Sequence, residues 1–218
     1  MAVLLAVNNF QKFFVAGGWL VWIVLLPMSA LAVQLVVQNS LLLRRRKLLP
    51  EEEIDQVRQK IKNGDAEAAL SYVDKKESLL ARTLQAGLSQ YSAGREAMEN
   101  VMVETIEEQF SGLMRKIEWL NVVGNVAPMI GLFGTVWGMI DAFNGIVEAG
   151  GQPEPVDLAD GISVALVTTW WGLVVAIPAL AAYGFFRNRI DTFAAETAVT
   201  AEDILKGMQA TESGTTKT

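Results

Sequence analysis

The chain has 218 residues, of which 51% are hydrophobic and only 19% are charged, and its net charge is −6. A soluble globular domain carries about 25% charged residues, so long stretches of this chain must lack charge. It contains no cysteine and no histidine, which excludes disulfide scaffolds, imidazole zinc sites and Cys–His or Ser–His nucleophile pairs. The acidic balance argues against nucleic-acid binding. We expect no cofactor, no metal site and no enzyme activity.

Three stretches carry no charged residue, namely 13–43, 119–140 and 161–186. A bilayer core of about 30 Å is crossed by a helix of about 20 apolar residues, so each stretch is long enough to span it. The second contains four glycines, and a buried helix of a soluble domain is its alternative interpretation. The N-terminus lacks a basic region before its apolar run, and this run is too long for a signal peptide. We therefore predict that the first stretch is a retained anchor.

The positions of lysine and arginine predict the orientation of these spans. Basic residues follow the first and third spans and precede the second, whereas the loop between the second and third spans has only acidic charges. The fold class predicted is an all-α membrane protein with three transmembrane helices, N-out and C-in, whose second and third helices extend into a cytoplasmic helical domain. The segments are an extracytoplasmic N-terminus (1–12), transmembrane helix 1 (13–43), a cytoplasmic helical insertion (44–118), transmembrane helix 2 (119–147), a periplasmic loop (148–160), transmembrane helix 3 (161–186), and a cytoplasmic C-terminal helix with a tail (187–218) that is disordered after Thr211.

Local signals subdivide the cytoplasmic insertion. Pro50 followed by three glutamates predicts a helix start, and Asn63-Gly64 predicts its end, with Asp65 capping the next helix. A further helix is expected over residues 77–91. From residue 95 onward, apolar residues recur every three or four positions without a breaker before Pro128, so one continuous helix is predicted to run into the second span.

Small residues occupy one face of each of the last two spans. Such residues allow the backbones of membrane helices to approach closely, and hydroxyl groups can hydrogen-bond across the contact. One interpretation is therefore a packed helix pair; the other is a narrow polar path on which Thr135 and Thr169 face an ion or a polar helix of another chain. The two sets are Gly131, Gly134, Thr135 and Gly138 in the second span, and Ala165, Thr169, Gly172 and Ala176 in the third.

No carboxylate or arginine lies within the three stretches, although intramembrane ion paths normally depend on such groups. Asp141 lies about 9 Å beyond Thr135 along a helix, and an interfacial position is favoured for it over a relay inside the membrane. If the protein conducts ions, another chain is expected to supply the titrating group. Pro178 is predicted to kink the third span because it lacks a backbone N–H.

Two sequence motifs resemble those of the MotA/TolQ/ExbB proton-channel family. Residues 127–140 (APMIGLFGTVWGMI) resemble its second-span motif. Residues 161–166 (GISVAL), together with Thr169, Gly172-Leu173 and residues 176–179 (AIPA), resemble its third span. The three-span, N-out layout is closer to the ExbB/TolQ branch than to the four-span MotA branch.

The resemblance implies a motor subunit in the bacterial inner (cytoplasmic) membrane. Members of this family form a homo-pentamer whose second and third spans line a pore. Two copies of a single-span partner of the ExbD/TolR type pass through it, and the partner's membrane aspartate carries the ion. The motion is passed to a TonB/TolA-like periplasm-spanning protein and to outer-membrane machinery. Thr135 and Thr169 match the two pore threonines of the family.

Two departures from the family pattern concern the third span. Val164 stands where many ExbB and TolQ sequences have glutamate, and Trp170-Trp171 replace a pair of small or aliphatic residues. Asp160 lies one helical turn before Val164, on the same face, and our hypothesis is that it supplies the displaced carboxylate at the outer mouth; a solvated loop residue is the alternative. Proton and sodium both remain candidate ions. The competing function is an oligomeric membrane scaffold without ion conduction.

Overall fold

The computed structural model describes residues 18–148, 150 and 155–215. The predicted extracytoplasmic N-terminus (1–12) lies outside the described residues, as do 13–17, 149, 151–154 and 216–218. The regular secondary structure of the described residues is entirely helical, with no strand. Three helices are long and apolar enough to cross a membrane, in agreement with the all-α, three-span prediction.

The helices in chain order are numbered here α1 to α7. Their bounds are α1 Gly18–Leu42, with a π-helical segment at Val21–Leu25; α2 Arg45–Leu48; α3 Glu51–Lys62; α4 Ala66–Val73; α5 Leu79–Leu88; α6 Arg95–Glu148; and α7 Pro155–Thr215. The candidate spans are α1, α6 and the Gly161–Met208 part of α7.

The predicted start and end of α3 and the predicted start of α4 agree with the structure. Helix α3 begins directly after Pro50, and Gly64 after its end has φ of 78°, a conformation that glycine adopts without strain. The side chain of Asp65 accepts a hydrogen bond from the Ala68 N–H at 2.8 Å. The exception is α5, predicted over 77–91. It starts only after Ser78, because the Ser78 hydroxyl caps the helix by accepting a hydrogen bond from the Ala81 N–H at 3.1 Å.

The last two helices are long and continuous. Helix α6 has 54 residues and includes Pro128, and α7 has 61 residues and includes Pro178. Helix α7 extends through Thr211 to Thr215, past the residue at which the disordered tail was predicted to begin.

The described chain divides into two compact units. The span unit contains α1 up to Gln38 and the Glu118–Gly184 parts of α6 and α7; the polar unit contains Asn39–Ile117 and the remainder of α7 from Phe185. In the polar unit, Arg58 of α3 pairs with Asp203 of α7 at 2.9 Å. Its core consists of apolar side chains from α3 to α7, including Val57, Ile61, Val73, Leu80, Leu84, Ile117, Ile190 and Ile204.

The span unit exposes a large apolar surface. Leu132, Val136 and Trp137 of α6 are each more than half exposed, as is Ile177 of α7. Exposed apolar surface of this extent is typical of contact with lipid or with other subunits. The outward faces of these helices are therefore suited to a membrane.

Candidate functional site

Helices α6 and α7 approach each other backbone to backbone within the span unit. A Cβ atom on Gly172 would lie 2.7 Å from the carbonyl oxygen of Ala127, and one on Gly131 would lie 3.0 Å from the Cα of Thr169. Neither neighbour is a flexible side chain, so even a methyl group would force the helices apart. Glycine at these two positions permits the contact.

All six small residues predicted for the packing face are buried. A Cβ on Gly138 would lie 3.2 Å from the Cβ of Ala165, and one on Gly134 would lie 2.6 Å from the Oγ1 of Thr168. Ala176 is only 2% exposed. The small residues therefore allow α6 and α7 of a single chain to pack tightly against each other. This agrees with the interpretation of the pattern as a packed helix pair.

Two threonine hydroxyls lie side by side at the edge of this contact. Thr135 Oγ1 and Thr169 Oγ1 are hydrogen-bonded to each other. Thr135 Oγ1 also lies 3.2 Å from the carbonyl oxygens of Gly131 and Ala165, and Thr169 Oγ1 lies 3.1 Å from that of Gly131. The two threonines are half-buried, so the structure brings together the two residues that the sequence singled out.

The hydroxyl pair has more acceptor than donor capacity. Each hydroxyl has one proton and two lone pairs. The pair thus has two protons, for which the neighbouring carbonyl oxygens and the partner hydroxyl compete. It has four lone pairs, and the hydrogen bond between the two hydroxyls uses only one of them. The remaining lone pairs can accept a hydrogen bond from a protonated acid or a water molecule. When a hydroxyl rotates away from its carbonyl, it can donate to a carboxylate instead.

Sequence reasoning missed a third threonine at this contact. Thr168 is 2% exposed, and its hydroxyl donates to the Ala165 carbonyl at 2.8 Å. Its side chain fills the space beside Gly134, which explains the need for glycine there. Its direct neighbour, Thr169, was identified through the motif, whereas the burial of Thr168 cannot be inferred from residue spacing.

The structure describes the side chain of only one of the two predicted carboxylates. Asp141 lies on α6 and is exposed; no hydrogen bond or ion pair of its side chain occurs among the described residues. Asp160 lies on α7, but its side chain is outside the described residues. Its role at an outer mouth thus stays a prediction.

The residues that depart from the family pattern lie on α7. The Trp170 and Trp171 rings pack edge to face, with centroids 5.3 Å apart, and Trp170 is 47% exposed. Val164 is half-buried. Helix α7 passes through Pro178, which leaves the carbonyl of Val174 without its usual helical donor; the kink stays a prediction.

These features define a class of protein: a helical membrane protein with several spans, in which two long helices meet at glycines around an uncharged pair of hydroxyls. Within residues 18–148 and 155–215, no group of three or more acidic side chains could hold a metal ion. Residues 75–198 match the model of the MotA/TolQ/ExbB proton channel family, and the chain belongs to this family.

Relatives of the chain include ExbB and TolQ proteins. The chain is 31% identical over 179 residues to the biopolymer transport protein ExbB of Neisseria gonorrhoeae, which covers 77% of this chain and 81% of that protein. It is 37% identical over 94 residues to the Tol-Pal system protein TolQ of Pseudomonas aeruginosa, covering 43% of this chain and 40% of TolQ. A putative biopolymer transport protein ExbB homolog of Methanothermobacter thermautotrophicus is 31% identical over 138 residues, 63% of this chain and 48% of that protein. The chain thus spans half or less of several relatives.

Proposed function

We propose that this protein is the channel-forming subunit of an ion-driven, ExbB/TolQ-like motor in the cytoplasmic membrane. It uses the proton motive force to do work on periplasmic or outer-membrane machinery, such as energised outer-membrane transport. The hydroxyl pair of Thr135 and Thr169 is the observation that carries this proposal. It is a polar, uncharged group between two spans that lack charged residues, with lone pairs available to a protonated acid.

The proposed assembly is a homo-pentamer that encloses two copies of a single-span, ExbD/TolR-like partner. The N-terminus lies outside, and residues 44–118 and 187–218 lie in the cytoplasm. A TonB/TolA-like periplasm-spanning protein receives the motion. The absence of aspartate, glutamate, lysine and arginine from the three uncharged stretches supports this arrangement, because the partner's membrane aspartate then supplies the titrating group.

In this mechanism the hydroxyl pair exchanges hydrogen bonds with the partner's carboxyl group. The protonated acid donates to a free lone pair of Thr135 or Thr169, and the ionised form accepts from a rotated hydroxyl. Both states of the carboxyl group thus remain hydrogen-bonded at one depth of the membrane. One proton that crosses 100 mV releases roughly 2.3 kcal/mol, which is enough to drive such a step.

Proton flux through the reconstituted complex tests this function. The complex is purified with its bound partner from its own membranes and placed in vesicles that contain a pH-sensitive dye. Thr135→Val and Thr169→Val keep the side-chain shape but remove the hydroxyl, and each is expected to reduce flux by at least about tenfold.

Thr192→Val is the matched control, since Thr192 lies on the same helix as Thr169 but is exposed and bonded only to the Asn188 carbonyl at 2.9 Å. Unchanged flux in Thr135→Val and Thr169→Val would contradict the proposal. An assembly that contains no single-span partner and passes no protons would favour the alternative, an oligomeric scaffold.

A further inference from the structure

A polar cluster lies at the start of the second uncharged stretch, within the span unit. Glu118 is the last charged residue before it. The Glu118 carboxylate accepts hydrogen bonds from Asn121 Nδ2 at 2.8 Å and from the Tyr183 hydroxyl of α7 at 3.4 Å. Asn125 Nδ2 in turn donates to the side-chain and main-chain oxygens of Asn121, each at 2.8 Å. Polar groups thus extend seven residues, or about 10 Å, into the stretch.

The carboxylate of Glu118 has neutral partners. In the described part of the chain, no lysine or arginine lies within ion-pair distance of it, although Arg115 precedes it by three residues and Arg187 follows Tyr183 by four. Its hydrogen-bond donors among the described side chains are the Asn121 amide and the Tyr183 hydroxyl. Glu118 is also exposed and therefore accessible to water.

The cluster is in register with the hydroxyl pair on both helices. Asn121 precedes Thr135 by 14 residues, and Tyr183 follows Thr169 by 14 residues. Fourteen residues are almost four helical turns, or about 21 Å, so each helix has its two polar groups on the same face. The hydroxyl pair and the cluster therefore mark two ends of one edge of the α6–α7 pair.

The interior of the α6–α7 contact leaves no room for a path between these two ends. A Cβ on Gly124 would lie 2.5 Å from the Cγ of Leu180, and Ala127 is completely buried. The interior of the contact is thus closed. A row of half-buried residues follows this edge along α6 at intervals of seven: Asn121, Pro128 and Thr135.

We propose that Glu118 is the proton acceptor at the cytoplasmic end of the ion path, and that Tyr183 and Asn121 position it. This inference rests on the proposed function of the hydroxyl pair. A proton released from the partner's aspartic acid passes through water to the Glu118 carboxylate, giving the neutral acid. Glu118 then loses this proton to cytoplasmic water and becomes a carboxylate again, with no net change in the protein.

The same vesicle assay tests this role with Glu118→Gln, which keeps an acceptor oxygen but cannot ionise. Glu107→Gln is the matched control: Glu107 lies three turns earlier on the same face of α6 and is also exposed. We expect at least about a tenfold loss of flux for Glu118→Gln and none for Glu107→Gln. Glu118→Asp is expected to recover part of the flux, and Tyr183→Phe to lower it less than Glu118→Gln does.

The pH profile separates a proton acceptor from a structural residue. With a constant pH difference across the membrane, flux through the unmodified complex should fall as the cytoplasmic-side pH drops through the range in which carboxylates bind protons, because a protonated Glu118 accepts no further proton. The residual flux of Glu118→Gln should lack this fall.

Two results would overturn the inference in distinguishable ways. Full flux with an unchanged pH profile in Glu118→Gln, alongside loss of flux in Thr135→Val, would exclude Glu118 and leave the proposed function intact. If the unmodified complex conducts no protons, the proposed function and this inference fail together. Native mass determination checks that each variant complex is assembled.

Discussion

At the scale of single residues, the hydroxyl pair combines polarity with the absence of charge. A carboxylate at this depth would cost several kcal/mol in lipid, whereas a threonine hydroxyl bonds to its own helix when no ligand is present. Thr135 bonds to the Gly131 carbonyl oxygen of its own helix and to that of Ala165 on α7, and Thr169 bonds across the contact to that of Gly131. The pair thus remains satisfied while it keeps lone pairs for an incoming donor.

Substitutions at Thr168 and Thr169 should have different effects on proton flux and on stability. Thr169→Ser keeps the hydroxyl, so we expect flux close to that of the unmodified complex. Thr168→Val removes a buried hydroxyl that is bonded to Ala165, and we expect a loss of about 1 kcal/mol in unfolding free energy with flux preserved. Thermal unfolding and vesicle flux, measured on the same preparations, check both outcomes. Loss of flux in Thr168→Val would place Thr168 in the path.

At the scale of the elements, the glycine contacts fix the distance between α6 and α7. Gly172→Ala would bring a methyl group to 2.7 Å from the Ala127 carbonyl oxygen and 3.2 Å from the Gly131 Cα. Since both are backbone atoms, the helices must separate, and we expect a loss of about 1–3 kcal/mol. Tryptophan-monitored thermal unfolding in detergent measures it.

Gly184→Ala is the control for this contact, because Gly184 lies on the same helix and an added methyl group there would meet no atom of another helix within 4 Å. It should be neutral or slightly stabilising, since alanine favours a helix more than glycine does. Equal destabilisation by the two variants would show that helix propensity, and not contact with α6, sets the effect.

At the scale of the whole molecule, the lack of cysteine makes the proposed orientation easy to test. A single cysteine introduced by Gln152→Cys should react with a membrane-impermeant maleimide in intact cells, because residue 152 lies in the predicted periplasmic loop. Gln90→Cys, in the polar unit, should react only after the membrane is opened. The reverse pattern would contradict the N-out, C-in orientation that the lysine and arginine positions predict.

The assembly is the second question at this scale. The exposed apolar faces of α6 and α7 are suited to neighbouring subunits and lipid. We expect native mass determination of the mildly solubilised complex to give five copies of this chain and two of a single-span protein with a membrane aspartate. A complex without that protein would leave the proposed path without its titrating group.

The sequence by itself determined the class of protein, the three spans and the starts of α3 and α4. Uncharged stretches of about 20 residues are dictated by bilayer thickness, and signals such as Pro50 and Asp65 act on their own helices. The motif also identified Thr135 and Thr169, because each lies at a helical spacing from small residues of its own span.

Only the tertiary structure decided which groups meet across α6 and α7. Three contacts each join residues more than 30 positions apart. They are the bond between the two threonine hydroxyls, the bond of buried Thr168 to the Gly131 carbonyl, and the bond between Tyr183 and Glu118. Such pairs depend on how the two helices are rotated and shifted against each other. The sequence pattern of either helix specifies a face, but the register between the faces is set by the packing of glycine against backbone.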